Sequence, residues 1–310
     1  MVYRKLKLLG KGSYGSVFLV KNIYTLKKYA MKKIMLNSKT YNTCINELKI
    51  MKMVKSNYII KIYDYFEKGR YLYIIMEYAP YGDLHSYIQR NKYRNKHISY
   101  RSIKYIICSI SKGLRDLHRN NIIHRDVKPS NILICEGKKI KIADFGISRI
   151  VKERHQMIYT KIGTPYYMSP EVLNGYRYSY SVDHWGLGCI FYELLTLKRP
   201  FESNNLLNLY YKIKRGNYNM GILPTSYIYI IKGLLNKSSL LRFNEREILD
   251  FYNDKSSYNI KIGFNLYSRT NFKLPKININ DSLKKNKIRS KYLFRQFRGK
   301  GIIKKLILNY

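Results

Sequence analysis

Short apolar stretches bounded by charged residues fill the first part of the chain and read as strands. "KLKLLG" and "SVFLVK" predict a two-stranded hairpin, and "YAMKKI" predicts a third strand that carries Lys32. The period then changes. Across residues 39–54, "KTYNTCINELKIMKMV", Cys44, Leu48 and Met51 fall on one face of a helix and Glu47 stands beside that stripe. Two more strands follow, "IIKIYDYF" and "YLYIIMEYA", separated by the turn "EKGR". The run Ala79-Pro80-Tyr81-Gly82 interrupts the pattern. Beyond it Ile103, Ile106, Ile107, Ile110, Leu114 and Leu117 recur at helical spacing. A second short hairpin, "NILI" and "KIKIA", turns around Glu136-Gly137, and from Asp183 onward segments such as "WGLGCIFYELL" and "YIIKGLL" are helical.

These elements predict an α+β chain in two lobes. Residues 1–77 form a small β-rich lobe, 78–82 a linker, and 83–252 a larger helical lobe. Residues 253–310 have another character: eleven Lys and four Arg face only Asp254 and Asp281, a net +13, with aromatics interleaved and no core period. There are no internal repeats and no sustained heptads.

Composition narrows the class. With 45% hydrophobic and 15% aromatic residues in 310, the chain can bury a substantial core and is not mostly disordered. Its formal charge of +40, from 59 Lys and Arg against 19 Asp and Glu, favours acidic partners such as nucleic acid, anionic membrane or acidic proteins. A general bias toward Lys, Asn, Ile and Tyr (33 Tyr) competes with that reading and accounts for the larger share of the charge. Cys44, Cys108, Cys135 and Cys189 are scattered, with neither a C-x-x-C pair nor zinc-type His spacing, so a reducing compartment is expected. No signal peptide fits the first residues and no uncharged apolar run approaches a membrane span. A soluble protein of the cytoplasm or the nucleus is expected.

Gly10-Lys11-Gly12-Ser13-Tyr14-Gly15 matches G-x-G-x-x-G, a pattern shared by several nucleotide sites. A Walker A loop needs Lys and then Ser or Thr after its last glycine, and Gly15 is followed by Ser16 and Val17. A dinucleotide turn must open a helix and supply an acid about 20 residues later. Here the following segment is β-rich and the first acid is Glu47. The remaining option is a hairpin loop over the phosphates of ATP, followed by a strand with a lysine.

"HRDVKPSN", His124 to Asn131, supplies the chemistry that option needs. Phosphoryl transfer to a hydroxyl wants a carboxylate at the attacking oxygen, and Asp126 is that candidate. Lys128 can stabilise charge on the moving phosphoryl group, and Asn131 can hold a magnesium ion. Thirteen residues on, "DFG" offers Asp144 as a second hard oxygen ligand, suited to Mg²⁺ and not to zinc. "GTPYYMSPE" then ends at Glu171.

In this ordered set the chain resembles the eukaryotic protein kinases over residues 1 to about 252. The resemblance implies the bilobal protein-kinase-like fold and a role for each matching position. Lys32 is expected to pair with Glu47 and hold the ATP phosphates under the loop Gly10–Gly15. Val17 and Ala30 would sandwich adenine with Leu133 beneath, and Met76 would be the gatekeeper. Glu77 and Ala79 would offer hinge backbone to the base. Asp183 would brace the catalytic loop, and Glu171 would pair with Arg242. Lys128, with Thr164 completing the arrangement, resembles the Ser/Thr kinases, and "LGCIFYELLTLKRPFESNNLLNLYYKIKRGNY" resembles the NIMA-related (Nek) family. Arg125 beside the catalytic Asp implies docking of a phosphate, with Thr160 as the regulatory position and Tyr159 behind it.

The chain departs from the family at several points. Lys32 and Glu47 are only 15 residues apart. His184 and Gly186 stand where the family prefers an aliphatic and a small polar residue or Ala, and Phe243 follows Arg242 where Pro is common. The basic tail either binds an acidic partner (RNA or DNA, anionic lipid, or an import receptor through "KKNKIRSK"), or is a solvated extension set by composition, or packs on the lobe through Ile and Phe anchors. The coiled coil that follows many Nek kinase domains is missing from it, so a monomer is expected. Two readings compete with a kinase acting on protein substrates. A pseudokinase scaffold would need damage at Lys32, Asp126, Asn131 or Asp144, and all four are intact. A nucleic-acid-binding protein rests on charge alone.

Overall fold

The computed structural model of the chain describes residues 2–12, 15–35, 41–144, 165–176 and 179–253, without the side chains of Thr43, Glu47 and Ile50. Five antiparallel strands form the first layer: β1 (Tyr3–Gly12), β2 (Gly15–Asn22), β3 (Lys28–Met35), β4 (Ile62–Lys68) and β5 (Tyr71–Met76), in the order β1-β2-β3-β5-β4. Helix α1 (Tyr41–Met53) is inserted between β3 and β4. Cys44, Leu48 and Met51 are its buried stripe, as their spacing predicts.

Alternation assigns the two faces of this sheet. Val17 lies opposite Lys32, Leu19 opposite Ala30, and Ala30 opposite Met76, so these five share one face. Ile34, Leu72 and Ile74 continue that face and join the main core, with α1 and the second lobe. The opposite face carries Val20, Met31, Tyr73 and Ile75, a smaller cluster of its own.

The second layer is helical. It contains α2 (Leu84–Tyr93), α3 (Tyr100–Arg119), the hairpin β6 (Ile132–Ile134) with β7 (Ile140–Ile142), α4 (Pro170–Leu173), α5 (Ser181–Thr196), α6 (Leu206–Arg215), α7 (Thr225–Leu234) and α8 (Glu245–Asn253). All six apolar positions read from the α3 pattern are buried, and Ser99 caps the helix by accepting the Ser102 N–H at 3.3 Å. Every residue of α5 from Val182 to Leu195 is buried, so this apolar helix is the axis of the lobe.

One strand boundary differs from expectation. Ile59 and Ile60 do not extend β4: Ile59 bridges Ile142, and Ile60 N–H donates to the Ile142 carbonyl at 2.9 Å while Ile142 N–H donates to Tyr58 at 2.8 Å. Their apolar side chains are buried at this seam between the lobes, and β4 gains Glu67 and Lys68 instead. The turn to β5 thereby tightens to Gly69-Arg70. The sequence pattern also left α2 unassigned. Asp83 caps it by accepting the Ser86 N–H at 2.7 Å, and only Leu84 and Ile88 of its ten residues are buried.

Candidate active site

The loop between α3 and β6 is fixed from beneath by a buried carboxylate. Asp183, in the first turn of α5, accepts the His124 N–H on Oδ2 and the Arg125 N–H on Oδ1, both at 2.8 Å. His118 Nε2, at the end of α3, lies 2.8 Å from Oδ2 as well. Burial works against charge on His118, but the hydrogen bonds and charges of Asp183 and Glu245 outweigh it and raise the imidazole pKa to about 9. His124 is fully buried, and its tautomer follows from its partners. Nδ1 accepts the Asp126 N–H at 3.2 Å, so Nε2 donates to the Ala143 carbonyl at 2.8 Å.

Asp126 collects the polar groups of this loop. Its Oδ2 accepts from Lys128 Nζ at 2.8 Å and from Asn131 Nδ2 at 3.1 Å, and Asn131 Nδ2 also donates to the Asp126 carbonyl at 2.8 Å. Both amide hydrogens of Asn131 thus face Asp126, which leaves its oxygen as the atom it can present to a cation. Ala143 N–H, donating to the Asn131 carbonyl at 2.8 Å, ties this loop to the segment that ends in Asp144.

Lys32 on β3 is buried, and its ammonium forms an ion pair with the Asp144 carboxylate across the lobes. Asp144 is 42% exposed, so its carboxyl oxygens are open to a ligand from solvent. Arg125 and Asp144 both hold positive φ, 68° and 59°. The other described non-glycine residues with positive φ lie in turns or at helix C-termini. Left-handed backbone at a bulky residue costs about 1–3 kcal/mol, and these two instances flank the Asp126 cluster.

Apolar side chains gather beside these groups. Ala30 and half-buried Val17 come from the sheet, while Leu133, Met76 and Ala79 pack around Ile60, Cys135 and Ala143. Burial, with a smaller contribution from Glu77, pushes the Cys135 thiol up to about 12, so it behaves as an apolar lining group. The linker is anchored by Glu77, whose Oε2 accepts from Lys141 Nζ at 2.7 Å. Because Glu77 N–H donates to the Lys61 carbonyl at 2.9 Å, the carbonyl is the backbone group this residue has left to offer a ligand.

A model of the protein kinase domain matches residues 3–251. The chain belongs to the protein kinase family. It is 34% identical over 261 residues to a probable serine/threonine-protein kinase nek2 of Dictyostelium discoideum, covering 80% of this chain and 62% of that protein. It is 34% identical to the serine/threonine-protein kinase Nek3 of Mus musculus, covering 76% and 45%, and 32% identical to the serine/threonine-protein kinase PLK4 of Danio rerio, covering 80% and 27%. The chain therefore spans less than two thirds of the length of each of these kinases.

Against the kinase pattern, the structure brings Asp126, Lys128 and Asn131 together and sets Lys32 against Asp144. Gly10 and Gly12 lie at the end of β1, paired with Val17 and Gly15, and Lys11 pairs with Ser16. A Cβ on Gly15 would stand 2.0 Å from the Lys33 carbonyl oxygen, so the close approach of β3 requires glycine there. Ser13, Tyr14, Phe145, Gly146, Tyr159, Thr160 and Thr164 lie outside the described residues, as do the Glu47 side chain and with it the expected Lys32–Glu47 pair. Glu171 and Arg242 form a two-pronged ion pair, with N–O distances of 2.5 and 2.9 Å. Lys141 and the Ile59–Ile142 seam are features that sequence reasoning missed. Their only signal was the isolated lysine between two isoleucines in "IKI".

Proposed function

We propose that the chain is a serine/threonine protein kinase that moves the γ-phosphoryl group of ATP to a Ser or Thr hydroxyl of a protein substrate. The observation that carries this reading is the convergence of Lys128 and Asn131 on one oxygen of Asp126, at 2.8 and 3.1 Å. The Asp126 carboxylate orients the attacking hydroxyl and takes its proton. Lys128, already balancing that carboxylate, reaches toward charge on the transferring group. Family membership implies ATP and a divalent cation, and the donor set here fits them. The Asn131 side-chain oxygen and the Asp144 carboxylate are the hard ligands that Mg²⁺ takes. When bound, Mg·ATP supplies the phosphoryl group and neutralises its charge.

A purine would sit in an apolar slot between these side chains, with Val17 and Ala30 above, Leu133 below and Met76 at the back. The Glu77 carbonyl and the Ala79 backbone are set to read the edge of the base. Lys32 is held at the mouth by Asp144 and reaches the α- and β-phosphates. A Cβ on Gly10 would meet nothing within 4 Å, so the protein's own packing does not demand glycine there. Close passage of a ligand phosphate under Gly10–Gly15 does.

On this reading residues 1–252 are the kinase domain, with residues 253–310 as a basic extension available to acidic partners or nucleic acid. Thr160 is the regulatory phosphorylation site, and the protein works as a monomer in the cytoplasm or nucleus. No described helix is long and apolar enough to cross a membrane.

The test is phosphate transfer from Mg·ATP to casein or myelin basic protein, with amino-acid analysis of the product. Labelled Ser and Thr are expected, lost in Lys32→Met and Asp144→Ala proteins. A folded wild-type protein that binds ATP and transfers nothing, even as the Thr160→Glu variant, would overturn the assignment in favour of a scaffold.

A further inference from the structure

His184 is the family departure with the clearest chemical content, because it completes a cluster. Three helix ends meet behind the catalytic loop: the last turn of α3 with His118, the first turn of α5 with His184, and the first residue of α8, Glu245. His184 Nε2 lies 2.5 Å from Glu245 Oε2, and His118 Nδ1 lies 3.8 Å from the same oxygen. One ligand atom from each of the three residues falls within 4.8 Å of the others. We propose that His118, His184 and Glu245 form a binding site for a first-row divalent metal ion of the zinc type, separate from the phosphate-transfer cleft.

Four features argue for it. Two imidazoles and one carboxylate are a donor set that zinc takes, with the remaining position left to water. Ligands about 2.0–2.2 Å from zinc stand about 3.4 Å apart in a tetrahedron. The two separations from Glu245 Oε2, 2.5 and 3.8 Å, bracket that value. The second shell is already built, since His118 Nε2 is 2.8 Å from Asp183 Oδ2, the carboxylate–histidine arrangement that orients a ligating Nδ1. Asp183 and Glu245 together also offset a divalent charge. Finally, a cleft of about 1170 Å³ reaches His118, His184 and Glu245 and gives an ion a path from solvent, with Glu247 and Asp250 in its lining beside cations such as Arg115, Arg119 and Arg246.

Binding releases the Nδ1 proton of His118 to solvent, and the proton that His184 Nε2 shares with Glu245 is displaced as well, to Nδ1 of a neutral ring or to solvent from a charged one. The ion then cross-links α3, α5 and α8. Through the His118 Nε2–H bond it stiffens Asp183, which holds the His124 and Arg125 amides. The site acts as a positioning element for the catalytic loop and touches no reacting atom.

The experiment uses the full chain, stripped with chelator and kept in excess Mg²⁺ so that the Asn131–Asp144 cleft is occupied by a hard ion. Cobalt(II) is titrated in while its visible d–d absorption is followed, a readout independent of whether the protein phosphorylates anything. One equivalent per chain is expected, displaced by zinc. His184→Val, which restores an aliphatic residue, and Glu245→Gln should each weaken binding more than about tenfold, since even outer-shell changes commonly cost 10–100-fold. Asp144→Ala should leave it unchanged. Thermal melts identify any variant that fails to fold, and the other then decides. Absorption that never appears, that survives both His184→Val and Glu245→Gln, or that disappears only with Asp144→Ala would overturn the site.

Discussion

Phe243 packs its ring onto Gly233 and donates its backbone N–H to the Gly233 carbonyl at 3.0 Å. A Cβ on Gly233 would stand 2.1 Å from Phe243 Cδ2. This accounts for the departure from the kinase pattern next to Arg242, because a proline at 243 has no N–H to donate. Gly233→Ala is expected to destabilise the protein by about 1–3 kcal/mol through overpacking in the last turn of α7. The penalty should shrink when Phe243→Ala is introduced as well. Equal penalties in both backgrounds, by denaturant midpoints of the four proteins in a double-mutant cycle, would show that the ring is not what the added methyl meets.

Asp126 and Lys128 share one contact but are expected to fail differently. Asp126→Asn keeps the shape of the side chain and removes the base, so turnover should fall about 10²–10⁴-fold. Lys128→Ala removes a counter-charge and should cost less. Neither residue lines the apolar slot, so the nucleotide dissociation constant should stay within about threefold of wild type. Parallel measurement of turnover and of fluorescent-nucleotide binding checks this. A collapse of binding in Asp126→Asn would place that residue in the nucleotide site instead.

Asp183 accepts from two consecutive backbone amides, and substitution there should uncouple stability from nucleotide affinity. In Asp183→Asn one side-chain atom still accepts, but its NH₂ group faces an N–H. Each buried donor left without an acceptor costs about 1–3 kcal/mol. For a domain of this size that corresponds to a melting temperature lowered by about 2–4 °C for every kcal/mol. Phosphate transfer should fall as the His124–Asp126 backbone shifts, while ATP still binds through the first lobe. A variant with unchanged melting temperature and full transfer would remove Asp183 as the brace.

How much of this was legible in the chain depends on distance along it. Asp126 and Asp144 stand out because acids are scarce, only 19 in 310, and Asn131 because it stands five residues after the first and thirteen before the second. The α1 and α3 stripes were readable for a similar reason: the apolar period spans several turns. Helix α2 was not, since two buried residues in ten leave no stripe. Residues 59 and 60 look like strand and are paired, but with Ile142, a partner no local pattern specifies. His118, His184 and Glu245 come from three helices far apart in sequence, so only the packing of the second lobe brings them together.

Glu171 and Arg242 set an expectation for acid stability. Burial by itself would raise the Glu171 carboxyl, but its hydrogen bonds and charge interaction with Arg242 outweigh burial and hold it below the ordinary carboxylate range. A carboxyl whose folded pKa is depressed contributes stability that is present above its unfolded pKa and is lost as pH falls through the folded value. Glu171→Gln removes that contribution and leaves Arg242, whose side chain is fully buried, without its counter-charge. Breaking a buried pair in this way costs about 3–5 kcal/mol near neutral pH. The stability gap between wild type and variant should narrow as pH falls below the usual carboxylate range. Other shifted groups, such as Glu245, are common to both proteins and cancel in the difference. Urea midpoints of the two proteins across the acid limb decide the matter. A gap that stays constant with pH would mean that Glu171 is not held ionised by Arg242.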